Sequence, residues 1–356
     1  MDIEQKVNLV KQVGEEIITE PELRQLFETK EHPIAYDGFE PSGKIHIAQG
    51  LLRAVNVNKL TSTGIHFKFW VADWFALMNN KLGRDLEKIQ TVGNYFIEVW
   101  KACGMNLKNV EFLWASKNMD QDYWLRTIKI GTNTTVPRII RCAQIMGRSE
   151  QETLSAAQVF YPCMQASDVF QLKVDITQLG MDQRKVNMLV REIAPKMNFK
   201  PPVVVSHHML MGLNPPKTEV QGVDRVITIK MSKSNPDSAI FMTDTQKDII
   251  NKFNKAYCPE KQVEDNPILE YCKYIIFEKY KTFDVERPEK FGGNVSFDSY
   301  KELEKTFVAG KLHPMDLKQT TAKYVDQLID PVRKHFETNK KAKELLQTVS
   351  GYIATR

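Results

Sequence analysis

The chain has 356 residues, and its 49 Lys and Arg against 44 Asp and Glu give a formal net charge of +5. With 42% hydrophobic and 26% charged residues, its composition is that of a globular protein and excludes a disordered tail or a fibre. A membrane-spanning helix is also excluded, because even the most apolar stretch, 67–78, carries Lys68 and Asp73. The small positive charge does not by itself indicate a nucleic-acid partner.

The cysteines and the N-terminus favour a cytoplasmic protein. The five cysteines are an odd number, with no CxxC pair and no His at metal-ligand spacing, which argues against disulfides and zinc. The first twenty residues mix charged and apolar side chains and lack the unbroken apolar core of a secretory signal.

Residues 1–32 are expected to form an N-terminal helical segment. Apolar residues three or four apart from Ile3 to Ile17 predict an amphipathic helix, and Pro21 predicts the start of a second, shorter one. This segment is expected to pack against something larger.

Residues 33–245 alternate between strand and helix patterns. The predicted strands are 34–39, 65–72, 110–114, 172–176 and 203–206, the last of them an edge strand. The predicted helices between them are 46–60, 85–103 and one that begins at Asp182. This order predicts an α/β fold with a Rossmann-like, doubly wound parallel sheet.

Two further segments have helical periodicity. Residues 117–158 are expected to form a helical insertion between the halves of the sheet, and residues 246–356 a separate all-α domain.

Two polar stretches suit phosphate binding. Residues 41–46, Pro-Ser-Gly-Lys-Ile-His, lie at a strand-to-helix turn, with His46 expected in the first turn of the helix, where free N–H groups attract anions. Residues 230–234, Lys-Met-Ser-Lys-Ser, offer point charges and small donors to a polyphosphate. Each stretch alone could also be a solvated surface loop, but the two together are a more specific signal of phosphate binding.

A third group of polar residues occupies one helix face. Tyr161, Gln165 and Asp168 are spaced i, i+4 and i+7, and residues 180–185 add Asp182. A buried, satisfied hydrogen-bond network is the alternative interpretation.

The two polar stretches resemble the HIGH and KMSKS signatures of the class I aminoacyl-tRNA synthetases. Residues 230–234 match the second letter for letter, whereas residues 46–49, His-Ile-Ala-Gln, match only the first two letters of HIGH and lack its second histidine. With Tyr36 and the Tyr161 to Asp168 group, the chain is similar to the tyrosyl-tRNA synthetases of archaeal and eukaryotic type.

The resemblance implies a tyrosine–tRNA ligase that converts L-tyrosine and ATP to tyrosyl-adenylate and transfers the tyrosine to tRNA(Tyr). ATP is then a substrate, Mg²⁺ arrives bound to it, and there is no tightly held cofactor. The catalytic residues implied are His46, Lys230 and Lys233. The tyrosine-binding residues implied are Tyr36, Tyr161, Gln165, Asp168 and Gln183. The ATP-binding residues implied are Ser42, Lys44, His46, Asp182, Lys230, Met231 and Lys233.

The resemblance also implies RNA contacts and a partner subunit. Residues 246–356 would bind the anticodon, with Phe291 stacked on a base and Asp316 reading its edge. A core position is the alternative for Phe291, which stands where the family commonly has tryptophan. The insertion would form a homodimer interface and meet the acceptor stem, although its arginines equally suit solvent: Arg126, Arg138, Arg141 and Arg148.

Three alternatives to this function stay open. A tryptophanyl-tRNA synthetase shares the architecture, but an indole does not require both Tyr36 and Asp168. A catalytically inactive tRNA- or nucleotide-binding paralogue would be expected to lose the late lysines or the phenol-binding pair, and the chain keeps both. Another nucleotidyltransferase would not need the C-terminal helical domain.

Overall fold

A six-stranded sheet organises the first two thirds of the computed structural model, which describes residues 1–142, 146, 153–216, 231 and 236–352. The strands are β1 (Gly14–Ile18), β2 (Ile34–Phe39), β3 (His66–Val71), β4 (Val110–Trp114), β5 (Ile176–Thr177) and β6 (Val203–His207). They lie in the order β1-β6-β5-β2-β3-β4, and only β1 runs antiparallel to its neighbour. The predicted doubly wound sheet is confirmed.

The helices of the described residues cover the sheet and form most of the C-terminal region. Those that belong to the first two thirds are α1 (Ile3–Val13), α2 (Glu20–Thr29), α3 (Arg53–Ser62), α4 (Asp73–Met78), α5 (Leu86–Ala102), α6 (Ala115–Asn118), α7 (Gln121–Thr132), α8 (Val136–Arg141), α9 (Ala156–Gln171) and α10 (Arg184–Ile193). The later ones are α11 (Gln246–Lys255), α12 (Pro267–Tyr271), α13 (Tyr300–Val308), α14 (Pro314–Thr338) and α15 (Lys340–Ser350). None of these described helices is long and apolar enough to cross a bilayer.

The N-terminal prediction of one helix from Ile3 to Ile17 is wrong beyond Val13. Residues 14–18 instead form β1, where Ile17 pairs with Val205 of β6. This strand covers β6, so the prediction that β6 is an edge strand is also wrong. Ile17 continues the helical spacing only by coincidence. Because the partner strand of β1 lies almost 190 residues further along the chain, the sequence around β1 gives no sign of the pairing.

The predicted strand 172–176 is wrong over most of its length, because the chain turns there. Leu172 ends α9 by donating its N–H to the carbonyl of Asp168, and Lys173 adopts a left-handed φ of 55°. Only residues 176–177 then pair, as β5, between β2 and β6. Directly after this short strand, the N–H of Gln178 donates to the carbonyl of Tyr36 on β2 at 3.0 Å.

Over its described residues, 246–352, the C-terminal region contains an antiparallel ribbon among its helices, so the prediction of an all-α domain is corrected. The ribbon consists of β7 (Phe283–Val285) and β8 (Val295–Phe297). One hydrophobic cluster runs from Trp100 under the sheet to Phe253 and Phe336 in the C-terminal helices. The core is therefore continuous between the two regions.

Candidate active site

A phenol and a carboxylate meet in a buried spot at the centre of the sheet. Tyr36 on β2 is 1% exposed and Asp168 on α9 is 2% exposed. Burial, together with the nearby Asp168 carboxylate, raises the pKa of Tyr36 well above its usual value, and burial raises the pKa of Asp168. An interaction with the Gln165 side chain offsets part of the rise in the pKa of Tyr36, although the Tyr36 hydroxyl makes no hydrogen bond of normal geometry to a described residue.

Tyr123 on α7 completes this pair, and sequence reasoning missed it. Its hydroxyl lies 2.9 Å from an Asp168 carboxylate oxygen and 2.9 Å from the carbonyl of Met164. Tyr123 is fully buried on the apolar face of its helix. The only sequence signal is that position on an apolar stripe, which an ordinary core tyrosine would share.

Two further polar residues of α9, Tyr161 and Gln165, make side-chain contacts outside the helix. The Tyr161 hydroxyl donates to Glu40 at 2.6 Å, and Gln165 donates to the side chain of Gln183 at 3.1 Å. Burial and the Glu40 carboxylate raise the pKa of Tyr161 well above its usual value, which keeps its hydroxyl a donor. Gln165 and Gln183 are therefore in contact, whereas Tyr161 contacts Glu40, and a tyrosine-binding role for the three stays a prediction.

Glu40 is a further residue that sequence reasoning missed. It follows the carboxyl end of β2, where parallel sheets place ligands. Both of its carboxylate oxygens lie 3.1 Å from the Asn79 side-chain nitrogen, and the Lys81 ammonium is 3.8 Å away. The sequence signal that could have identified Glu40 is its position directly after a predicted strand.

The early motif pairs with the chain that follows the late motif. The N–H of Ile47 donates to the carbonyl of Ile240 at 2.8 Å, and that of Met242 donates to Ile45 at 3.0 Å. The buried His46 lies opposite Phe241 in this bridge, two residues before the helical turn and not inside it as expected. The sequence prediction of the helix is otherwise confirmed.

The turn that follows His46 is π-helical, over Ala48–Leu52, and leads into α3. The indole N–H of Trp100 donates to the carbonyl of Gln49 at 2.8 Å. A Cβ on Gly50 would lie only 2.5 Å from the Met242 sulfur, so a larger residue would push the two segments apart. This close approach draws the flanks of the two predicted phosphate-binding motifs together.

The late motif is described only at Met231, which is buried. Lys230, Ser232, Lys233 and Ser234 lie outside the described residues. Ser42 and Lys44 precede the early pairing on the loop after β2.

Asp182 is buried in a short 3₁₀ turn, Met181–Gln183, that precedes α10. A Cβ on Gly180 would lie 2.6 Å from the Asp182 carboxylate, so glycine is needed for the carboxylate to fold back over this position. Behind it, a buried ion pair of Arg53 and Asp37 at 2.9 Å joins α3 to β2, and Arg53 also donates to Gln178. Sequence reasoning did not find this pair.

In the C-terminal region Phe291 is 59% exposed, so the alternative of a core position is wrong. It ends a short turn before Gly292, whose φ is 100°, and the Lys290 ammonium lies 4.9 Å from its ring. Arg287 donates to the carbonyls of Gly293 at 2.6 Å and Lys311 at 2.8 Å. This links the Phe291 turn to the chain just before α14, whose first turn carries Asp316.

The insertion exposes an apolar face and holds some of its arginines in polar contacts. Arg126 donates to Gln171 at 2.8 Å, and Arg138 pairs with Glu192 at 2.9 Å. Arg141 is exposed, and Arg148 lies outside the described residues. The large exposed side chains are Trp124, Leu125 and Ile128 on α7 and Val136 on α8.

The sheet carries a polar strand-to-helix turn after β2, and this turn is hydrogen-bonded to the chain that follows the KMSKS sequence. These features define a class I aminoacyl-tRNA synthetase. Comparison with known proteins agrees: the family model for class I tRNA synthetases (W and Y) matches residues 28–330. The chain is 49% identical over 359 residues to the cytoplasmic tyrosine–tRNA ligase 1 of Arabidopsis thaliana, a match that covers all of the chain and 90% of that relative. The chain belongs to the tyrosine–tRNA ligase family.

Two further comparisons support this placement. The cytoplasmic tyrosine–tRNA ligase 2 of Arabidopsis thaliana is 52% identical over the whole chain, which spans only 46% of that relative's length. The crystal structure of the Pyrococcus horikoshii tyrosyl-tRNA synthetase complexed with L-tyrosine has a TM-score of 0.91 at 39% identity, covering 98% of this chain and all of that one. These relatives are tyrosyl and not tryptophanyl members of the class.

Proposed function

We propose that the protein activates L-tyrosine with ATP and transfers it to the 3′ end of tRNA(Tyr) in cytoplasmic protein synthesis. The observation that carries the proposal is the buried pair of Tyr36 and Asp168, set in a fold shared with tyrosine–tRNA ligases. In this proposal residues 33–245 form the catalytic domain, and residues 246–356 form the anticodon-binding domain.

The buried pair accounts for the choice of tyrosine. The substrate hydroxyl accepts from Tyr36 and donates to Asp168, which Tyr123 already holds at 2.9 Å. Phenylalanine would make neither of these two hydrogen bonds, and Asp168 would keep only the one from Tyr123, at a cost of about 1–3 kcal/mol for each bond lost. Discrimination of that size makes a separate editing domain unnecessary.

The opposite end of the pocket suits the substrate ammonium. Tyr161, Gln165 and Gln183 offer oxygen acceptors, and Glu40 supplies a negative charge beside them. The amino acid is thereby held at both ends, with its carboxylate directed toward the early motif. Positioning of this kind accounts for much of the rate enhancement in reactions between two bound substrates.

The reaction needs no enzyme nucleophile. The tyrosine carboxylate attacks the α-phosphorus of ATP, a P–O bond to pyrophosphate breaks, and tyrosyl-adenylate forms. His46, Lys230 and Lys233 stabilise the charge that builds on the phosphates, while Ser42, Lys44, Met231 and Asp182 hold the nucleotide. Mg²⁺ bound with ATP neutralises phosphate charge. A terminal ribose hydroxyl of the tRNA then attacks the anhydride, and AMP leaves.

The RNA and subunit contacts are part of the same proposal. The exposed ring of Phe291 is suited to stack on an anticodon base, and Asp316 to accept from its edge. The apolar side chains exposed on α7 and α8 are suited to a homodimer interface.

Tyrosine-dependent exchange of radiolabelled pyrophosphate into ATP tests this function. We expect exchange with tyrosine and at most a trace with phenylalanine or tryptophan, followed by charging of tRNA(Tyr). A non-catalytic binder would show no exchange, and a different nucleotidyltransferase would need another acid. Either result would contradict the proposal.

A further inference from the structure

The short helix α12 contacts the chain before the late motif and the motif itself at Met231. The Glu270 carboxylate accepts from the backbone N–H of Met211 at 2.9 Å and lies 3.1 Å from the His208 ring nitrogen Nε2. The next residue, Tyr271, directs its hydroxyl at the sulfur of Met231, 3.9 Å away. Two consecutive residues of the C-terminal region therefore hold the chain at 208–211 and again at 231.

Met231 is anchored mainly by burial. It is 5% exposed and Tyr271 is fully buried, and both belong to the hydrophobic cluster that includes Phe253. The ring of Phe253 meets that of Tyr271 edge-on at 5.3 Å. A side chain held in a packed core fixes its own backbone. Anchoring Met231 therefore fixes the one described position of the late motif.

The chain before the late motif is anchored as firmly. His208 lies between Glu270 and Glu15 of β1, at 3.1 and 3.2 Å, and its ring stacks on Tyr274 at 4.2 Å. Two residues beyond Met211, the N–H of Leu213 donates to the carbonyl of Ser238 at 2.9 Å. A segment whose ends are already anchored loses less conformational entropy when a ligand orders it, so less free energy is spent on positioning its residues.

We infer that Glu270 and Tyr271 are positioning residues for the late motif, acting through Met211, His208 and Met231 without touching the substrates. The inference rests on the proposed function, in which Lys230 and Lys233 bind the phosphates of ATP. It assigns to α12, in the C-terminal region, a part in the adenylation step.

Kinetics of pyrophosphate exchange with matched control variants test the inference. Glu270→Gln removes the charge that faces His208, and Tyr271→Phe removes the hydroxyl but keeps the buried ring. Glu98→Gln is the control for the first, because the Glu98 carboxylate pairs with His335 at 2.9 Å and joins helix α5 to the C-terminal helix α14, away from the late motif. Tyr324→Phe is the control for the second, since its hydroxyl accepts from the ribbon residue Asp284 at 2.9 Å, away from the late motif.

The expected result is a loss of kcat/KM for ATP without a matching change in KM for tyrosine. Glu270→Gln should lower kcat/KM for ATP by about tenfold, the effect typical of a charged hydrogen bond, with KM for tyrosine within about twofold of wild type. Tyr271→Phe should lower kcat/KM for ATP by only about threefold, again with KM for tyrosine unchanged, because a hydrogen bond to sulfur is weak. Both controls should match wild type. Equal losses in Glu270→Gln and Glu98→Gln, or equal effects on both substrates, would overturn the inference.

Amide exchange at Met211 provides a readout other than activity. Glu270→Ala removes the acceptor of this N–H, so its hydrogen exchange should accelerate together with the loss of kcat/KM for ATP. Faster exchange at Met211 with unchanged ATP kinetics would overturn the inference while leaving the proposed function intact. Absence of tyrosine-dependent exchange in the wild type would instead overturn the proposed function, and the inference with it.

Discussion

At the scale of single residues, the candidate pocket has a different chemistry at each end. The end at Asp168 is buried, and burial raises the pKa of that carboxyl. The end at Glu40 is partly exposed, and its carboxylate faces a phenol, an amide and an ammonium group. Under the proposed function, the first would take the hydroxyl of the tyrosine substrate and the second its ammonium group.

Glu40→Gln should weaken tyrosine binding by about tenfold, because it removes the charge that faces the substrate ammonium. The analogue 3-(4-hydroxyphenyl)propionate lacks the ammonium, so its inhibition constant should not change. Competition assays with both compounds measure this difference. Equal weakening of both would show that Glu40 only supports the fold of the pocket.

At the scale of elements, the junction of β1, β6 and α12 contains one histidine between two carboxylates. Burial alone would lower the pKa of His208, but its hydrogen bonds to Glu15 and Glu270 outweigh burial and raise the pKa to about 9. Other groups near this junction are His207, Tyr274 and Lys273. The ion pairs therefore stabilise the fold only while His208 carries its proton.

The stabilisation by His208 should be present in full below pH 6.5 and be lost as the pH rises through about 9. The change from the usual value of 6.5 corresponds to at most about 3 kcal/mol. Urea unfolding of wild type and His208→Gln at pH 7 and pH 10 measures it. The stability difference between the two proteins should shrink at pH 10; a constant difference would contradict the assignment.

What the sequence predicts at this scale depends on how local the cause is. Strands β2 and β4 have the predicted bounds because runs such as Val110–Trp114 carry β-branched and aromatic residues. Tyr161, Gln165 and Asp168 share a face because helical spacing alone puts them there. Strand β1 and Tyr123 were missed, since each depends on a partner far away in the chain. Periodicity carries no information about such partners.

At the scale of the whole molecule, the C-terminal region has two ends with separate proposed tasks. Helix α12 packs beside the late motif, whereas the Phe291 turn is exposed and joined by Arg287 to the chain that leads into α14. Because Phe291 is exposed, whereas the contacts of α12 are with His208, Met211 and Met231, changes at the exposed end should affect the tRNA step and not the adenylation step.

Phe291→Ala should lower kcat/KM for charging of tRNA(Tyr) by roughly tenfold or more, because a stacked base contributes about 1–3 kcal/mol. Pyrophosphate exchange in the absence of tRNA should not change. Ile250→Ala, at another exposed apolar residue of this region, serves as the control and should change neither rate. A loss of exchange equal to the loss of charging would argue against an RNA-binding role.

The most direct test of the account compares binding of tyrosine and phenylalanine to wild type and to Tyr36→Phe by calorimetry. Wild type should bind tyrosine far more tightly than phenylalanine. Loss of the Tyr36 hydroxyl should weaken tyrosine binding by roughly tenfold to a hundredfold and leave phenylalanine binding unweakened. Equal affinities of wild type for the two amino acids, or an equal loss for both in the variant, would contradict the account.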